Sequence, residues 1–173
     1  GINGKLNKFT YNLTYNHTDS KGFSTAYDST GNNGFIRDGF KQDNFQANIG
    51  YQFTEKLAVS AASNYGKYKN DLAAGAFTDD KDYTSSNTSF INSIALVYKL
   101  KTGSLHFTNT FINAQRQLKN DTTSAAGNGS YYRGNFKGRS YVAELFGNVA
   151  LSNKFSLTGG VQRMAQNTDQ NNA

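Results

Sequence analysis

Few side chains in this sequence could carry out catalysis. The 173 residues include 2 His and 0 Cys, and His17 and His106 are too far apart in sequence to suggest a pair of zinc ligands. Glu55 falls in a predicted turn and Glu144 stands alone, so the carboxylate pair of a glycosidase is missing. Serines are abundant, but no Gly-x-Ser-x-Gly or Ser-x-x-Lys element accompanies them. The sequence therefore predicts that the protein is not an enzyme.

Alternation of apolar and polar residues is the clearest pattern in the chain. In residues 8–17, Phe9, Tyr11, Leu13 and Tyr15 alternate with short polar residues, and residues 44–53 repeat the pattern. A period of two indicates a strand with one apolar face. The other predicted strands are 1–5, 57–68, 88–100, 104–117, 140–151 and 154–162, which makes eight strands in all.

Two of these strands break the alternation. Asn92 and Asn109 fall on otherwise apolar faces, whereas Ile91 and Ile112 fall on polar faces. These exceptions indicate either β-bulges or apolar residues that point to the polar side.

The connections between the predicted strands alternate in length. Short turns are predicted at 6–7, 54–56, 101–103 and 152–154, and long polar loops at 18–42, 69–87 and 118–139. Short turns on one rim and long loops on the other are typical of outer-membrane barrels. The sequence thus predicts an all-β, antiparallel, up-and-down transmembrane β-barrel segment in the bacterial outer membrane.

Aromatic residues and charges fit this prediction. One predicted girdle lies near the short turns and contains Phe9, Tyr51, Phe53, Tyr98 and Phe155. The other lies towards the long loops and contains Tyr15, Tyr65, Tyr68 and Phe90. The lipid faces of the predicted strands carry no charge at mid-strand, and Glu144 is predicted to face the lumen.

The two ends of the chain indicate a partial barrel domain that covers residues 1–173. The first strand begins partway up the barrel, and residues 166–173 look like the opening of another long loop. Two other functions stay open. One is a passive porin or a small structural barrel, and the other is a soluble β-rich adhesin or binding domain. Nucleic-acid binding is not indicated, because the basic residues behind the net charge of +6 are scattered singly.

A family resemblance rests on the order of features between residues 11 and 68. A strand at 11–17 is followed by a polar loop, by Asp38-Gly39-Phe40, and by a strand that ends in Gly50-Tyr51-Gln52-Phe53. This order resembles the early barrel of TonB-dependent outer-membrane transporters, and most of all their cobalamin-transporter branch.

The resemblance implies a barrel of about 22 strands that is closed by an N-terminal plug. Such a protein imports a scarce nutrient, such as cobalamin or a siderophore, with energy supplied through TonB. The implied partners are outer-membrane lipid, the plug, the rest of the barrel, the TonB complex and a surface lipoprotein.

The resemblance also implies calcium as a possible cofactor, bound by aspartates of the first extracellular loops. The matching residues here are Asp38, Asp71, Asp79, Asp80 and Asp82, with Asp28 as a weaker candidate. The closely spaced acidic cluster of the family is replaced by Asn32-Asn33-Gly34-Phe35-Ile36-Arg37, so solvated loop carboxylates are the alternative interpretation.

Substrate contact is expected from aromatic residues at the loop tips. The candidates are Tyr27, Phe35, Phe77, Tyr83, Tyr131 and Tyr132. The alternative role of these rings is to pack the loops against each other.

Overall fold

The chain forms one antiparallel sheet of eight strands. A computed structural model describes residues 1–31, 34–121 and 131–172. The strands follow each other across the sheet in chain order, which confirms the predicted all-β, up-and-down meander. They are β1 (Ile2–Leu6), β2 (Phe9–Phe23), β3 (Asp38–Gln52), β4 (Leu57–Asp71), β5 (Thr84–Lys99), β6 (Gly103–Asn120), β7 (Tyr132–Ala150) and β8 (Ser156–Asn172). Within the described residues, no helix has the length and apolar character needed to span a membrane.

The two faces of the sheet differ sharply in polarity. One row of direct cross-strand partners contains only apolar residues in all eight strands: Leu6, Phe9, Tyr51, Val59, Leu96, Phe107, Leu145 and Val161. The adjacent row on the opposite side contains Lys5, Thr10, Gly50, Ser60, Ala95, Thr108, Glu144 and Gln162. We call the side with Phe9 the apolar face and the side with Thr10 the polar face. The alternation in the sequence therefore becomes a difference between two sides of one surface.

The sheet has no second layer among the described residues. Each strand contacts only the strands next to it, and Ala26 is the one apolar residue that these residues bury. Large side chains of the apolar face stay open, such as Ile94 at 51% and Val161 at 71% exposure. The usual hydrophobic core between two packed layers is therefore not formed by these strands alone.

The strands are staggered with respect to each other. The apolar row that begins at Leu6, the last residue of β1, reaches Val161, which lies well inside β8. Direct partners thus move steadily away from the short turns from β1 to β8. Such a stagger is the geometry of strands that tilt across a curved sheet.

Local chemistry explains the short turns. Asn7 adopts a positive φ of 52° in the two-residue connection between β1 and β2, a conformation that Asn tolerates better than most residues. In the next short turn, the Thr54 hydroxyl oxygen accepts hydrogen bonds from the backbone N–H groups of Lys56 and Leu57, at 3.2 and 3.0 Å. All four predicted short turns are confirmed, since each joins two neighbouring strands.

The long loops are shorter than predicted, because the strands run on into them. The connections span residues 24–37, 72–83 and 121–131, whereas 18–42, 69–87 and 118–139 were expected. Strand β8 likewise runs to Asn172, so the prediction that residues 166–173 open a loop is wrong for 166–172. The cause is that the backbone ladder continues after apolar alternation has ended, because pairing depends on N–H and C=O groups and not on side-chain polarity.

The bulge interpretation of the exceptions to the alternation is wrong. Register runs without interruption from β4 through β6, so Ile91 and Ile112 are direct partners on the polar face. Asn109 lies on the apolar face, where its side-chain amide donates a hydrogen bond to the Tyr141 hydroxyl. The irregularity that does occur lies in β2, between Ser20 and Phe23. Gly22 has a φ of 60° there, and an added Cβ would lie 1.9 Å from the Asp38 carbonyl oxygen.

Two further details of the predicted faces are wrong. Tyr68 pairs directly with Gln42 on the polar face, and so it does not share a face with the other members of its predicted girdle. Arg163 pairs with Ala143 on the apolar face, and because β8 runs past the predicted end at residue 162, this charge lies at mid-strand. The other members of the second girdle, Tyr15, Tyr65 and Phe90, do share one row on the apolar face, together with Phe45.

The register between β5 and β6 can be tested by disulfide cross-linking, since the chain contains 0 Cys. The variant Ile91→Cys/Ile112→Cys should form a disulfide on mild oxidation, because directly opposite Cβ atoms lie about 5 Å apart. The control Ile91→Cys/Phe111→Cys places the thiols on opposite faces and should stay reduced. Mass spectrometry of proteolytic fragments gives the readout, and equal cross-linking of the two variants would contradict the register.

Candidate functional site: the loop cap and the polar face

Two of the long loops pack against each other at one edge of the sheet. The Tyr27 backbone N–H donates to the Ala76 carbonyl oxygen at 2.7 Å. The rings of Tyr27 and Phe77 meet edge to face, with centroids 6.2 Å apart. We call residues 24–31, 34–37 and 72–83 the loop cap. Two of the six aromatic residues predicted to contact substrate therefore join one loop to the other.

Carboxylates tie the loop cap to the sheet. Asp80 is 1% exposed and accepts hydrogen bonds from the Asn120 side-chain amide at 2.7 Å and from the Asp82 backbone N–H at 3.1 Å. Because Asn120 ends β6, this buried contact fixes the second loop against the sheet. A buried charge needs such partners, because moving an ion out of water without them costs several kcal/mol or more of hydration free energy.

Asp79 and Asp38 play a similar role for the first loop. Asp79 Oδ2 accepts a hydrogen bond from the Ile36 backbone N–H at 2.9 Å. Asp38 Oδ2 accepts hydrogen bonds from the Thr25 hydroxyl and from the Thr25 backbone N–H, the latter at 2.7 Å. Each carboxylate thereby uses one oxygen to hold a loop backbone.

The predicted calcium ligands fit a cation only in part. The second oxygens, Asp38 Oδ1 and Asp79 Oδ1, are buried and accept no hydrogen bond from the described residues, which favours a cation. However, no three His, Cys, Asp or Glu side chains of the described residues lie together in an arrangement that could hold a metal ion. Asp71 lines a separate cavity with Lys41 and Lys69. Calcium binding stays a prediction, with Asp38 and Asp79 as the ligands that the burial favours.

The other predicted aromatic residues occupy different places. Phe35 lines the cavity that also contains Asp71, and the Tyr83 carbonyl oxygen accepts the Leu72 backbone N–H at 2.9 Å. The Arg133 guanidinium lies 5.5 Å from the centroid of the Tyr131 ring. Tyr132 belongs to β7, and its hydroxyl fills the space above Gly134 on the polar face.

A cavity on the polar face was missed by the sequence reasoning. It has a volume of about 510 Å³ and is lined by residues from six consecutive strands, β3 to β8, which requires the sheet to curve towards this face. Its floor is a row of small residues that includes Gly66, Ala114 and Gly138. The next row towards the loops contains larger side chains: Gln42, Tyr68, Asn87, Arg116, Phe136 and Gln170. The cavity thus combines two aromatic rings, an arginine and several amides.

The two histidines lie in different strands, His17 in β2 and His106 in β6. His17 Nδ1 lies 2.8 Å from Asp43 Oδ1, which also accepts a hydrogen bond from the Tyr15 hydroxyl at 2.7 Å. His106 Nε2 lies 2.7 Å from the Ser104 hydroxyl oxygen.

The hydrogen bonds of Ser104 decide the direction of that contact. The Ser104 hydroxyl donates to Asn148 Oδ1 at 2.8 Å, and the same oxygen accepts the Ser104 backbone N–H at 2.9 Å. Because a hydroxyl has one proton, His106 must donate to Ser104, and its ring cannot act as a base towards that serine.

Comparison with known proteins does not extend this account, since no family model, no curated protein and no solved structure matches the chain.

Calcium binding can be tested on the thermal stability of the protein. A ligand that binds only the folded state stabilises it by about 2.7 kcal/mol when it is present at about 100 times its Kd. Calcium should therefore raise the melting temperature of the wild type relative to a chelator. The variant Asp79→Asn, which can still accept the Ile36 N–H, should lose most of this rise, and the control Asp169→Asn should keep it. Equal melting temperatures of the wild type with calcium and with the chelator would contradict the prediction.

Proposed function

We propose that this chain is part of the pore-forming barrel of a bacterial outer-membrane transporter, which binds and imports a scarce nutrient with energy supplied through TonB. The observation that carries the proposal is the sheet that is one layer thick and apolar on one side. In this proposal the apolar face meets lipid and the polar face lines the lumen. Calcium, a plug, the rest of the barrel, the TonB complex and a surface lipoprotein belong to the proposal through the family resemblance.

The exposed surface area indicates that something other than the described strands covers the apolar face. A compact protein of 19.0 kDa has an accessible surface of about 8400 Å². This chain exposes 11959 Å², and the large apolar side chains that stay exposed include Ile49, Ile94 and Val161 of the apolar face. Apolar surface of this extent is unfavourable in water, at about 25 cal/mol per Å².

Strand length favours lipid over a second protein sheet as the cover. Strands of soluble sandwiches usually contain 3 to about 10 residues, and about 9 to 11 tilted residues cross a bilayer. Strands β2 to β8 have 15 to 19 residues each. Such strands are long enough to cross a bilayer and to continue beyond it, which explains why their loop-side ends are polar.

The charge of Arg163 on the apolar face is compatible with this placement. Arg163 lies seven residues beyond Ser156, the first residue of β8, which is about 23 Å along the strand. Tilt of about 40° reduces this to a height of about 18 Å within an apolar band about 25 Å tall. The guanidinium can therefore extend to the nearer headgroup region, as long basic side chains do.

An importer is favoured over a passive porin by two features. The loop cap is held by buried carboxylates at one mouth of the lumen, and the cavity beside Arg116, Tyr68 and Phe136 offers polar and aromatic groups for a bound ligand.

The outer edges of β1 and β8 have no partner strand among the described residues, so a closed barrel requires further strands. This agrees with the larger barrel that the resemblance implies.

Uptake measurements test the proposal against its alternatives. Cells that produce the intact protein should accumulate radiolabelled cyanocobalamin or a ferric siderophore, and a strain without TonB should not. The variant Arg116→Gln should lower this uptake severalfold at an unchanged outer-membrane level. The control Arg139→Gln, on the opposite face, should have little effect.

Two results would contradict the proposal. Energy-independent permeability to small sugars, without saturable uptake of either large ligand, would instead support a porin. Recovery of the intact protein in the aqueous fraction of lysed cells would support a soluble binding domain.

A further inference from the structure

A second cavity, of about 670 Å³, lies at the loop edge of the sheet, between β2, β3, β4 and the first loop. Its lining includes four basic side chains, those of Lys21, Arg37, Lys41 and Lys69. We call it the cationic pocket. It lies on the side of the apolar face, since Lys41 pairs directly with Lys69 in the same series of rows as Tyr15 and Phe45. It is therefore distinct from the cavity on the polar face.

The charges in the cationic pocket do not balance. Two carboxylates, Asp19 and Asp71, also line it. The Lys41 ammonium pairs with Asp19 at 2.9 Å. No carboxylate of the described residues forms an ion pair with Lys21, Arg37 or Lys69. Four positive and two negative groups leave an excess of two positive charges, so the pocket attracts anions.

The backbone that carries Arg37 is held in place from both sides. The preceding residue, Ile36, donates its N–H to the buried Asp79 carboxylate, and the following residue, Asp38, accepts two hydrogen bonds from Thr25. The backbone at Arg37 is thus already ordered, which lowers the backbone entropy that is lost when the pocket binds a ligand. In the sequence, Arg37 is part of the segment that replaces the acidic cluster of the family that this chain resembles, and in the structure it lines the cationic pocket.

The groups in the pocket suit a phosphoryl group better than a carboxylate peptide or a metal ion. A metal cation is disfavoured by the excess positive charge. Guanidinium and ammonium groups both form charge-assisted hydrogen bonds to phosphate oxygens, and arginine can do so with two parallel bonds. A doubly charged phosphate also matches the excess of two positive charges.

The position of the cationic pocket relative to the aromatic row is a second observation that supports a phosphoryl ligand. The row of Asp19, Lys41 and Lys69 lies four residues beyond the row of Tyr15, Phe45 and Tyr65 on the same face. Four residues of a strand span about 13 Å. If the aromatic row marks the edge of the hydrocarbon, the cationic pocket lies at the level of the lipid headgroups.

We propose that the cationic pocket is a phosphoryl-binding site in which Lys21, Arg37 and Lys69 bind the phosphate oxygens. Two sources share this chemistry, a phosphorylated glycolipid of the outer leaflet and a free phosphorylated molecule. The lipid source rests on the proposed membrane function. The pocket and its charge do not.

The test compares two triple variants of the intact protein, purified in maltoside micelles. Lys21→Gln/Arg37→Gln/Lys69→Gln removes the three unpaired charges of the pocket. The matched control, Lys56→Gln/Lys101→Gln/Lys154→Gln, removes three lysines near the short turns. Both proteins are first checked for wild-type resistance to proteolysis. If the pocket variant fails this check, Arg37→Gln alone is compared with Lys101→Gln.

Two binding measurements separate the sources. Calorimetric titration with pyrophosphate measures binding of a free phosphorylated ligand. For the lipid, the protein is reconstituted into phosphatidylcholine vesicles with and without lipid A, and the lipid A that the protein retains is measured. The pocket variant should bind about tenfold more weakly than the wild type, equivalent to about 1.4 kcal/mol, and the control should bind like the wild type.

Each outcome has a defined meaning. Weaker binding of both probes supports the site, weaker retention of lipid A alone assigns it to the lipid, and weaker pyrophosphate binding alone assigns it to a free phosphate. Equal behaviour of the pocket variant and the control in both measurements overturns the proposal. If the protein does not insert into the vesicles, the proposed membrane function is contradicted. The pyrophosphate titration then still tests the cationic pocket.

Discussion

Eight strands in a single layer must leave one whole apolar surface for something else to cover. The backbone is satisfied within the sheet, because every inner strand has a partner on both sides, and the side chains then divide by alternation. One side becomes a continuous row of apolar residues from Leu6 to Val161. Most other features follow from this division: the exposed aromatic rings, the curved polar face with its cavity, and the loops gathered at one edge.

The centres of the strands could be predicted from the sequence, and their ends could not. Alternation in residues such as Phe9, Tyr11 and Leu13 shows that the strand has one apolar and one polar face. The alternation ends where the two faces no longer differ in polarity. The ladder between β2 and β3 continues past it, through pairs such as Asp19 with Lys41. Tyr68 was assigned to the same girdle as Tyr65, although the two lie three residues apart in β4 and alternation places them on opposite faces. Arg163 was given no face, because the predicted strand ended at residue 162.

The candidate sites were less predictable than the fold. Oxygen-rich loops and a family resemblance selected the aspartates, but their burial depends on contacts between distant residues. Asp80 is buried because Asn120, at the end of β6, reaches it, and Asp79 is buried where the first loop returns through Ile36. The cavity on the polar face and the cationic pocket both arise from side chains that are neighbours across strands and far apart in sequence. The sequence showed Arg37 only as a departure from the acidic loop of the family that this chain resembles, and the fold brings it to the same pocket as Lys21, Lys41 and Lys69.

Contact between the apolar face and lipid is the central claim, and fluorescence quenching at two adjacent positions tests it directly. Ile94 lies five residues from Lys99, the end of β5, which places it about 13 Å above the short turns and near the middle of an apolar band about 25 Å tall. Ser93 lies on the opposite face. The variants Ile94→Cys and Ser93→Cys each carry one fluorophore in the intact protein in phosphatidylcholine vesicles. Brominated acyl chains should quench the fluorophore at residue 94. Iodide in the aqueous phase should quench the fluorophore at residue 93. Quenching of residue 94 by iodide, or by neither agent, would contradict the claim, because the face would then meet water or protein.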